Sequence, residues 1–473
     1  MNGNPKKIFI LGLDCADPEL LFDRWRDELP TINKLIKGGV HGKLRSVHPP
    51  ITSPAWACMT TGSDPGELGI YGFRHRKIGT YDDKYLALSD AVKKERIWEK
   101  LGRKGKKVIV LGVPQTFPVM KGVNGYLVSS FLTPSTASDY TWPPELKNEI
   151  ESISRFDGEY STSDRGYMLD VEDFRSENKK KILREIFEMT EKRTRVAMEM
   201  MEKDWDFFMA VFMGPDRVHH GFWKYMDEKH KDFIPGNPYK DSILNYYRYL
   251  DSRIKRLIER LDEDTNILLV SDHGAKRLDG CIAINEWLID NGYLKLKNIP
   301  DKPARLKEEW IDWSETYAWG WGGYFGRIFV NLSGREPKGK VLPQNYDNFL
   351  ENLREELIGI PDRSGNNIGT RAYRPEEIYK EINGDPPDLL VYFGDLNWRS
   401  SSTVGTGNIH LSENDTGPDH ANHAMDGFYI LKGSGIRGKT KKINCGIRQI
   451  APTVLKLMGF GEDLESDVSP IEL

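Results

Sequence analysis

Short apolar segments that each end in an aspartate constrain the fold of this chain most strongly. KKIFILGLD ends at Asp14, WDFFMAVFMGPD ends at Asp216, and NILLVSDHG carries Asp272 directly after its apolar run. Runs of this length between polar residues are typical of strands buried in a parallel sheet. Because ligands bind outside the carboxyl ends of such strands, we expect the three aspartates to meet in one crevice.

Helical segments alternate with these strands along the chain. SPAWACMTTG predicts a helix that begins at Pro54 and ends at Gly62, since proline is favoured at a helix start and glycine after its end. Further helices are predicted over 172–204, 241–262 and 447–458, and further strands over 387–394 and 427–436. This alternation predicts an α/β fold with a doubly wound, mostly parallel sheet flanked by helices.

The pattern loosens between residues 280 and 380, where Trp, Gly and Pro become frequent, as in ETYAWGWGGYFGRIFVNLSGREPKG. We therefore predict a discontinuous α/β core over 1–279 and 381–473 that carries an inserted cap, or substrate-binding subdomain, over 280–380. The tryptophans Trp319 and Trp321 have two interpretations. They could help to bind a leaving group, or they could form the core of the cap.

Composition excludes several classes of function. The net charge of −4 leaves no basic footprint for nucleic acid, and no apolar run approaches the roughly 18 residues of a membrane span. The four cysteines are scattered without a CxxC pair, which argues against a zinc–cysteine site and against a disulfide framework. We therefore expect a reducing compartment and a cytoplasmic protein that acts on a small molecule; the oligomeric state stays open.

Histidines gather near the strand-end acids. Of the ten histidines, five fall in small clusters, namely His219, His220, His273, His420 and His423. Carboxylate oxygens and neutral imidazoles are the usual ligands of catalytic Zn²⁺, and related sites accept Mn²⁺ or Fe²⁺. Two such ions can clamp both oxygens of an in-line phosphoryl displacement. We therefore expect two divalent ions, with Zn²⁺ as the first choice.

Thr52 stands just before the predicted helix. A hydroxyl in this position is an ordinary N-cap, but it also faces free backbone N–H groups that suit a phosphate and a nucleophile attacking it. Strand-end acids, clustered histidines and a helix-start hydroxyl are what one mechanism needs together. This joint occurrence favours the nucleophile.

Five motifs occur in the order and spacing of one enzyme superfamily: LGLD, TSPAWACMTTGSDPGELGI, GPDRVHHGFW, VSDHG and HANHAMDGFYILKGSGI. The chain resembles the alkaline phosphatase superfamily, and most closely its type I phosphodiesterase/nucleotide pyrophosphatase branch, over 7–275 and 385–460. The resemblance implies a doubly wound sheet, a two-metal site and a covalent phospho-enzyme.

The resemblance also assigns roles to residues. It implies Thr52 as the nucleophile and gives one metal the ligands Asp14, Thr52, Asp272 and His273. It gives the second metal the ligands Asp216, His220 and His423. The spacing from His423 to Gly427 favours that histidine over His420, and the register favours His220 over His219.

The chain departs from the family pattern after the nucleophile motif. Leu68 stands where many members carry histidine, and GIYGFRHR stands where nucleotide-cleaving members place an asparagine. Arg74 and Arg76 are candidates to hold a phosphoryl oxygen, because a guanidinium matches phosphate geometry; solvation at the surface explains them equally well. Arg327 is a further candidate for substrate binding. Nucleotide specificity is therefore left open.

Rival activities differ in what they require. A sulfatase needs Cys or Ser at position 52 and Arg at position 56, where this chain has Thr52 and Trp56. The glycines from Gly320 to Gly326 precede a strand instead of following one, so a dinucleotide site fails. We predict a metal-dependent hydrolase of phosphodiester or nucleotide pyrophosphate bonds. A phosphomonoesterase, a phosphomutase and a non-catalytic phosphate-binding member remain as alternatives.

Overall fold

The computed structural model describes residues 7–161, 164–413, 415–433, 436, 440–461 and 466–473. Within these ranges no helix combines the length and the apolar character that crossing a membrane requires.

The described strands are, in chain order, β1 (Ile8–Leu13), β2 (Val40–Arg45), β3 (Arg74–Arg76), β4 (Lys84–Leu86), β5 (Val108–Leu111), β6 (Gly125–Val128), β7 (Thr141–Trp142), β8 (Phe207–Phe212), β9 (Asn266–Val270), β10 (Gly274–Arg277), β11 (Gly280–Ala283), β12 (Ala304–Arg305), β13 (Ala318–Trp321), β14 (Gly326–Val330), β15 (Arg371–Tyr373), β16 (Leu389–Tyr392), β17 (Trp398–Ser401), β18 (Thr403–Val404), β19 (His410–Leu411), β20 (Ala421–Ala424), β21 (Asp426–Lys432), β22 (Lys441–Lys442) and β23 (Cys445–Gly446).

The described α-helices are α1 (Pro30–Lys37), α2 (Thr52–Thr61), α3 (Pro65–Leu68), α4 (Ile97–Arg103), α5 (Leu146–Ser154), α6 (Lys179–Met200), α7 (Gly214–Met226), α8 (Ser242–Ile258), α9 (Ile284–Asp290), α10 (Tyr346–Ile358), α11 (Pro375–Ile378) and α12 (Ile450–Leu457).

A large sheet forms the core of the protein, with the strand order β22-β2-β21-β9-β1-β8-β5-β6-β7 and β23 paired to β2. The central strands β9, β1, β8, β5 and β6 run parallel, whereas β21 pairs antiparallel with both β9 and β2. All six residues of β1 are buried, as expected for a strand covered on both faces. This mostly parallel sheet, flanked by helices, confirms the predicted α/β class.

Helix α2 packs directly on the middle of the sheet. A Cβ built on Gly12 of β1 would lie 2.3 Å from the ring of Trp56, so only glycine allows the helix to come this close. The helix begins at Thr52 instead of the predicted Pro54, and it ends before Gly62, whose φ of 80° is left-handed. The first turn of α2 therefore carries Thr52 over the end of β1.

The long helix predicted over 172–204 is shorter in the structure. It begins at Lys179, where the side chain of Asn178 accepts a hydrogen bond from the backbone N–H of Lys181 and caps the helix. Helix α8 is likewise shorter than the predicted 241–262.

A second apolar core lies beside the large sheet. Its antiparallel sheet has the order β13-β14-β16-β15, and its buried residues run from Ile282 to Val404, joined by Tyr81. The proposed domain boundary at residue 380 stays a prediction. Strand β16 pairs with β14 in this second sheet, whereas the sequence predicted that it continues the α/β alternation of the main core. The apolar run LLVY is equally compatible with either sheet.

Trp319 is buried in this second core, as the cap-core interpretation of this residue expects.

Candidate metal centre

The strand-end aspartates meet at one edge of the large sheet. Strands β9, β1 and β8 are adjacent and parallel, so their carboxyl ends lie side by side. Asp14 follows β1, Asp272 follows β9, and Asp216 lies in the first turn of α7 after β8. All three carboxylates are buried.

Two sets of ligand atoms result from this arrangement. Asp14, Asp272 and His273 form the first, which we name the Asp272 group, and their ligand atoms lie within 4.8 Å of one another. Asp216, His220 and His423 form the second, which we name the Asp216 group, and the sulfur of Cys15 lies within 4.8 Å of their ligand atoms. The Nε2 atoms of His220 and His423 lie 3.3 Å apart.

The two groups are in contact through their histidines. The rings of His273 and His423 stack with centroids 3.8 Å apart. Thr52 lies against the same pair, with its Oγ1 3.5 Å from Nε2 of His273, and the threonine is almost fully buried. The structure thus brings together all seven residues for which the sequence predicted metal ligation.

The two carboxyl groups of the Asp272 group lie where burial disfavours their ionisation. Burial, with the nearby carboxylate of Asp216, raises the pKa of Asp14 to about 8. Burial and Asp14 raise the pKa of Asp272 well above its usual range. Oδ1 of Asp14 and Oδ2 of Asp272 accept no hydrogen bond from any described residue, although both are buried. Oxygen atoms left in this state fit a divalent cation.

Two of the histidines present neutral rings. Burial lowers the pKa of His423 to about 4 and that of His273 well below its usual range. His273 Nδ1 lies 3.2 Å from the carbonyl oxygen of Gly274, and His423 Nδ1 lies 2.9 Å from that of Pro50. Because a carbonyl oxygen only accepts, Nδ1 of each ring carries the proton and donates it. Nε2 of each ring is therefore left unprotonated as the metal-binding atom.

His220 differs from them. Burial opposes a charge on its ring, but Asp419 and Asp216 outweigh burial and raise the pKa of His220 to about 10. Without a bound cation this imidazole therefore keeps both protons, and metal ligation through Nε2 requires the loss of one.

Comparison with known proteins identifies the family of the chain. A family model described as type I phosphodiesterase / nucleotide pyrophosphatase matches residues 8–426. The chain belongs to this family. It is therefore a phosphoric ester hydrolase, which confirms the predicted family and enzyme class.

Solved structures agree in fold. Human ectonucleotide pyrophosphatase / phosphodiesterase 5 is 13% identical, with a TM-score of 0.54 over 99% of this chain and 97% of that one. The murine protein of the same name is 14% identical, with a TM-score of 0.55 over 99% and 98% of the two chains. No curated protein matches the chain in sequence. At these identities the structures show a shared fold alone.

The sequence analysis missed Asp419, whose carboxylate contacts the candidate ligand His220. Oδ1 of Asp419 lies 2.7 Å from Nδ1 of His220, and its Oδ2 accepts from Arg399 at 2.9 Å and from Arg175 at 3.0 Å. Burial opposes ionisation, but Arg399, His220 and Arg175 hold the pKa of Asp419 well below its usual range. A carboxylate on the far nitrogen of a histidine ligand fixes the orientation of the ring. Its place in PDHANH, beside the histidines, was the available signal.

The loop between β13 and β14 also contributes an aromatic residue that the sequence did not single out. The ring of Tyr324 stacks on His423 with centroids 4.1 Å apart, and the guanidinium of Arg399 lies 4.2 Å from the centroid of the same ring. Tyr324 therefore forms a wall of the site that comes from the segment we predicted as a cap.

The alternative histidines lie outside both ligand groups. His219 Nδ1 is 3.1 Å from the carbonyl oxygen of Cys15, and the hydroxyl of Tyr247 is 3.3 Å from its Nε2. His420 packs edge-on against Tyr225.

The three arginines proposed for substrate binding have different surroundings. Arg76 is buried and donates to both carboxylate oxygens of Glu336, at 3.0 and 3.1 Å, which is typical of a structural ion pair. Arg74 is exposed, and Arg327 is half-buried beside it. Arg327 donates to the backbone carbonyl of Arg74 at 2.9 Å.

Proposed function

We propose that this protein cleaves phosphodiester or pyrophosphate bonds with two divalent metal ions, through a covalent intermediate on Thr52. One observation carries the proposal: the Thr52 hydroxyl at the start of α2 lies against the stacked histidines that join the Asp272 and Asp216 groups. A nucleophile at this junction can reach a phosphorus atom whose oxygens face both groups.

The proposed metal ligands are the residues that lie together around Thr52. Asp14, Asp272, His273 and Thr52 would hold one ion, and the Asp216 group would hold the other. When bound, such ions supply positive charge that favours the deprotonated hydroxyl and offsets the charge on the phosphoryl oxygens. The mixture of carboxylate oxygens and imidazole nitrogens suits Zn²⁺ first, with Mn²⁺ or Fe²⁺ as alternatives.

The residues of the chain carry the two chemical steps. Oγ1 of Thr52 loses its proton and attacks phosphorus in line, so that an O–P bond to the threonine forms while the bond to the leaving group breaks. The leaving group departs as an alcohol from a diester, or as a phosphate from a pyrophosphate, and its oxygen takes up a proton. Water then attacks the same phosphorus and restores the threonine hydroxyl. Asp419 keeps the His220 ring in place during both steps, and Trp56 donates to Oδ2 of Asp14 at 2.7 Å to fix that carboxylate.

The test compares bis-p-nitrophenyl phosphate with p-nitrophenyl phosphate, using EDTA-stripped protein to which Zn²⁺ or Mn²⁺ is returned. We expect metal-dependent hydrolysis with the diester preferred. A preference for the monoester would move the protein to the phosphatase side of the superfamily.

Variants at position 52 test the covalent step. Thr52→Ala should reduce kcat by at least about a thousandfold, because the nucleophile is lost, whereas Thr52→Ser keeps a hydroxyl and should retain activity. A peptide that includes Thr52 should carry the phosphoryl adduct after an acid quench during turnover. Substantial activity in Thr52→Ala would contradict the covalent route.

A further inference from the structure

A small cleft lies at the edge of the second core, beside the hairpin of β3 and β4. Its volume is about 90 Å³, and its charged lining includes Arg74, Lys84, Arg305 and Arg327. Pockets for whole ligands begin at about 300 Å³, so this cleft suits one chemical group and not an entire substrate.

Arg327 is held in position at this cleft. Its Nη1 donates to the carbonyl of Arg74 at 2.9 Å and its Nη2 to the carbonyl of Gly322 at 3.0 Å. The remaining nitrogen, Nε, is buried and has no partner among the described residues. Burial, with the neighbouring charges of Arg74 and Arg305, lowers the pKa of Arg327 to about 10, so the group stays charged at neutral pH.

The positive charge at the cleft is only partly balanced by the protein. Lys84 pairs with Asp82, and Arg305 pairs with Asp415 at 2.9 Å. Glu308 also lines the cleft. Among the ion pairs formed by the described residues, none includes Arg74 or Arg327. A guanidinium partly removed from water without a carboxylate is costly, and an anionic ligand would relieve that cost.

An aromatic ring completes the surroundings of this charge. The guanidinium of Arg327 lies 5.3 Å from the ring centroid of Trp321, and Nζ of Lys84 lies 4.8 Å from it. These contacts hold the cations around a fixed ring. The arrangement fixes the orientation of the Arg327 guanidinium and leaves its Nε–H as a donor for an oxyanion.

A lining residue of the cleft, Arg327, is close in sequence to a residue that contacts the candidate metal centre. Arg327 is three residues from Tyr324, which stacks on His423, so their Cα atoms are at most about 11 Å apart. A substrate that contacts both places would have to span a distance of this order.

We propose that Arg327, assisted by Arg74, binds a second anionic group, a carboxylate or a phosphate, on the same substrate whose phosphoryl group is attacked by Thr52. This inference rests on the proposed function, and it narrows the substrate class to phosphate esters with an additional acidic arm.

The kinetic test uses a series of ω-carboxyalkyl p-nitrophenyl phosphates of increasing chain length, each compared with the alkyl ester of equal length. We expect kcat/KM to favour the carboxylate by about tenfold at the lengths that span the gap, since a hydrogen-bonded charge pair is involved. Arg327→Gln should bring this ratio close to one, and Arg74→Gln, at an exposed position, should reduce it in part. Arg354→Gln, on α10, is the matched control and should keep the ratio of the unaltered protein.

A binding test separates this inference from the proposed function. Sulfate is added to EDTA-treated protein at constant ionic strength, and the melting temperature is followed. We expect a saturable rise that Arg327→Gln loses and Arg354→Gln keeps. If no ester is hydrolysed, the proposed function fails, and this binding result alone decides whether the cleft holds an anion.

Two results would overturn the proposal. A carboxylate preference that is absent at every chain length, or unchanged in Arg327→Gln, rules out a second anionic arm on the substrate. Sulfate binding that depends on Arg327 without any such preference would mean that the cleft binds a free anion only.

Discussion

The two ligand groups of the candidate metal centre differ in how their charges are balanced. In the Asp272 group, burial and nearby carboxylates, Asp216 for Asp14 and Asp14 for Asp272, raise the pKa values of both residues. In the Asp216 group, Asp216 pairs with Arg217, and His220 is supported by Asp419. Burial opposes ionisation of Asp216, but His220 and Arg217 hold its pKa well below the usual range. The cations of the protein thus outweigh burial at Asp216, whereas burial and nearby carboxylates prevail at Asp14 and Asp272.

Asparagine substitutions should separate the two groups in the metal-free protein. Asp216→Asn removes a partner of Arg217 and His220, and we expect the free energy of unfolding to fall by about 2–3 kcal/mol. Asp272→Asn removes a carboxyl group that gains nothing from ionisation there, so no loss of stability is expected. Denaturant unfolding in EDTA measures both, with the exposed Asp262→Asn as the control. Equal losses in the two variants would contradict the difference between the groups.

Asp419 tests the internal support of the Asp216 group. Asp419→Asn should weaken metal binding by about tenfold to a hundredfold, because His220 loses the carboxylate that orients its ring. Isothermal titration calorimetry of EDTA-stripped protein with Zn²⁺ measures the dissociation constant. Glu351→Gln, at a half-exposed position on α10, serves as control. If affinity does not change, the orientation of His220 does not depend on Asp419.

The pH dependence of stability provides a smaller effect. The folded pKa of Asp14, about 8, lies above its unfolded value, so its contribution to stability is full below about pH 4 and declines as pH rises toward 8. Asp14→Asn does not ionise, and its melting temperature relative to the unaltered metal-free protein should therefore rise between pH 6 and pH 9. A constant difference across this range would show that Asp14 ionises normally in the folded state.

Cys15 gives the smallest expected effect. Its sulfur lies within ligand distance of the Asp216 group, but burial and the nearby carboxylates raise the pKa of the thiol well above its usual range. Because the thiolate is the ligand form, Cys15→Ser should change the dissociation constant for Zn²⁺ by less than about threefold. A larger loss of affinity in the same titration would add the cysteine to the ligands of that group.

The meeting of the strand-end aspartates could be predicted from the sequence, because the apolar runs predict parallel strands and parallel strands have their carboxyl ends at the same edge. Buried apolar runs ending in Asp14, Asp216 and Asp272 identify parallel strands, and parallel strands put their ends together. Helix α7 brings Asp216 and His220 onto one face because they are four residues apart.

Other parts of the site depend on contacts between distant segments. Tyr324 contacts His423 from the loop between β13 and β14, and Arg175 contacts Asp419 across 244 residues of chain. Arg76 looked like a surface phosphate ligand, but it pairs with Glu336, 260 residues away. The sequence did not predict that β16 lies in the second sheet, because a short apolar run does not determine which strands it pairs with. No local pattern contains this information.

Metal stoichiometry tests the central claim most directly. The protein is stripped with EDTA, loaded with Zn²⁺, freed of excess metal and analysed by mass spectrometry for zinc per chain. We predict two equivalents in the unaltered protein and one in each of Asp272→Asn and Asp216→Asn. A single equivalent in the unaltered protein, or two in either variant, would contradict the division of these residues into two metal sites.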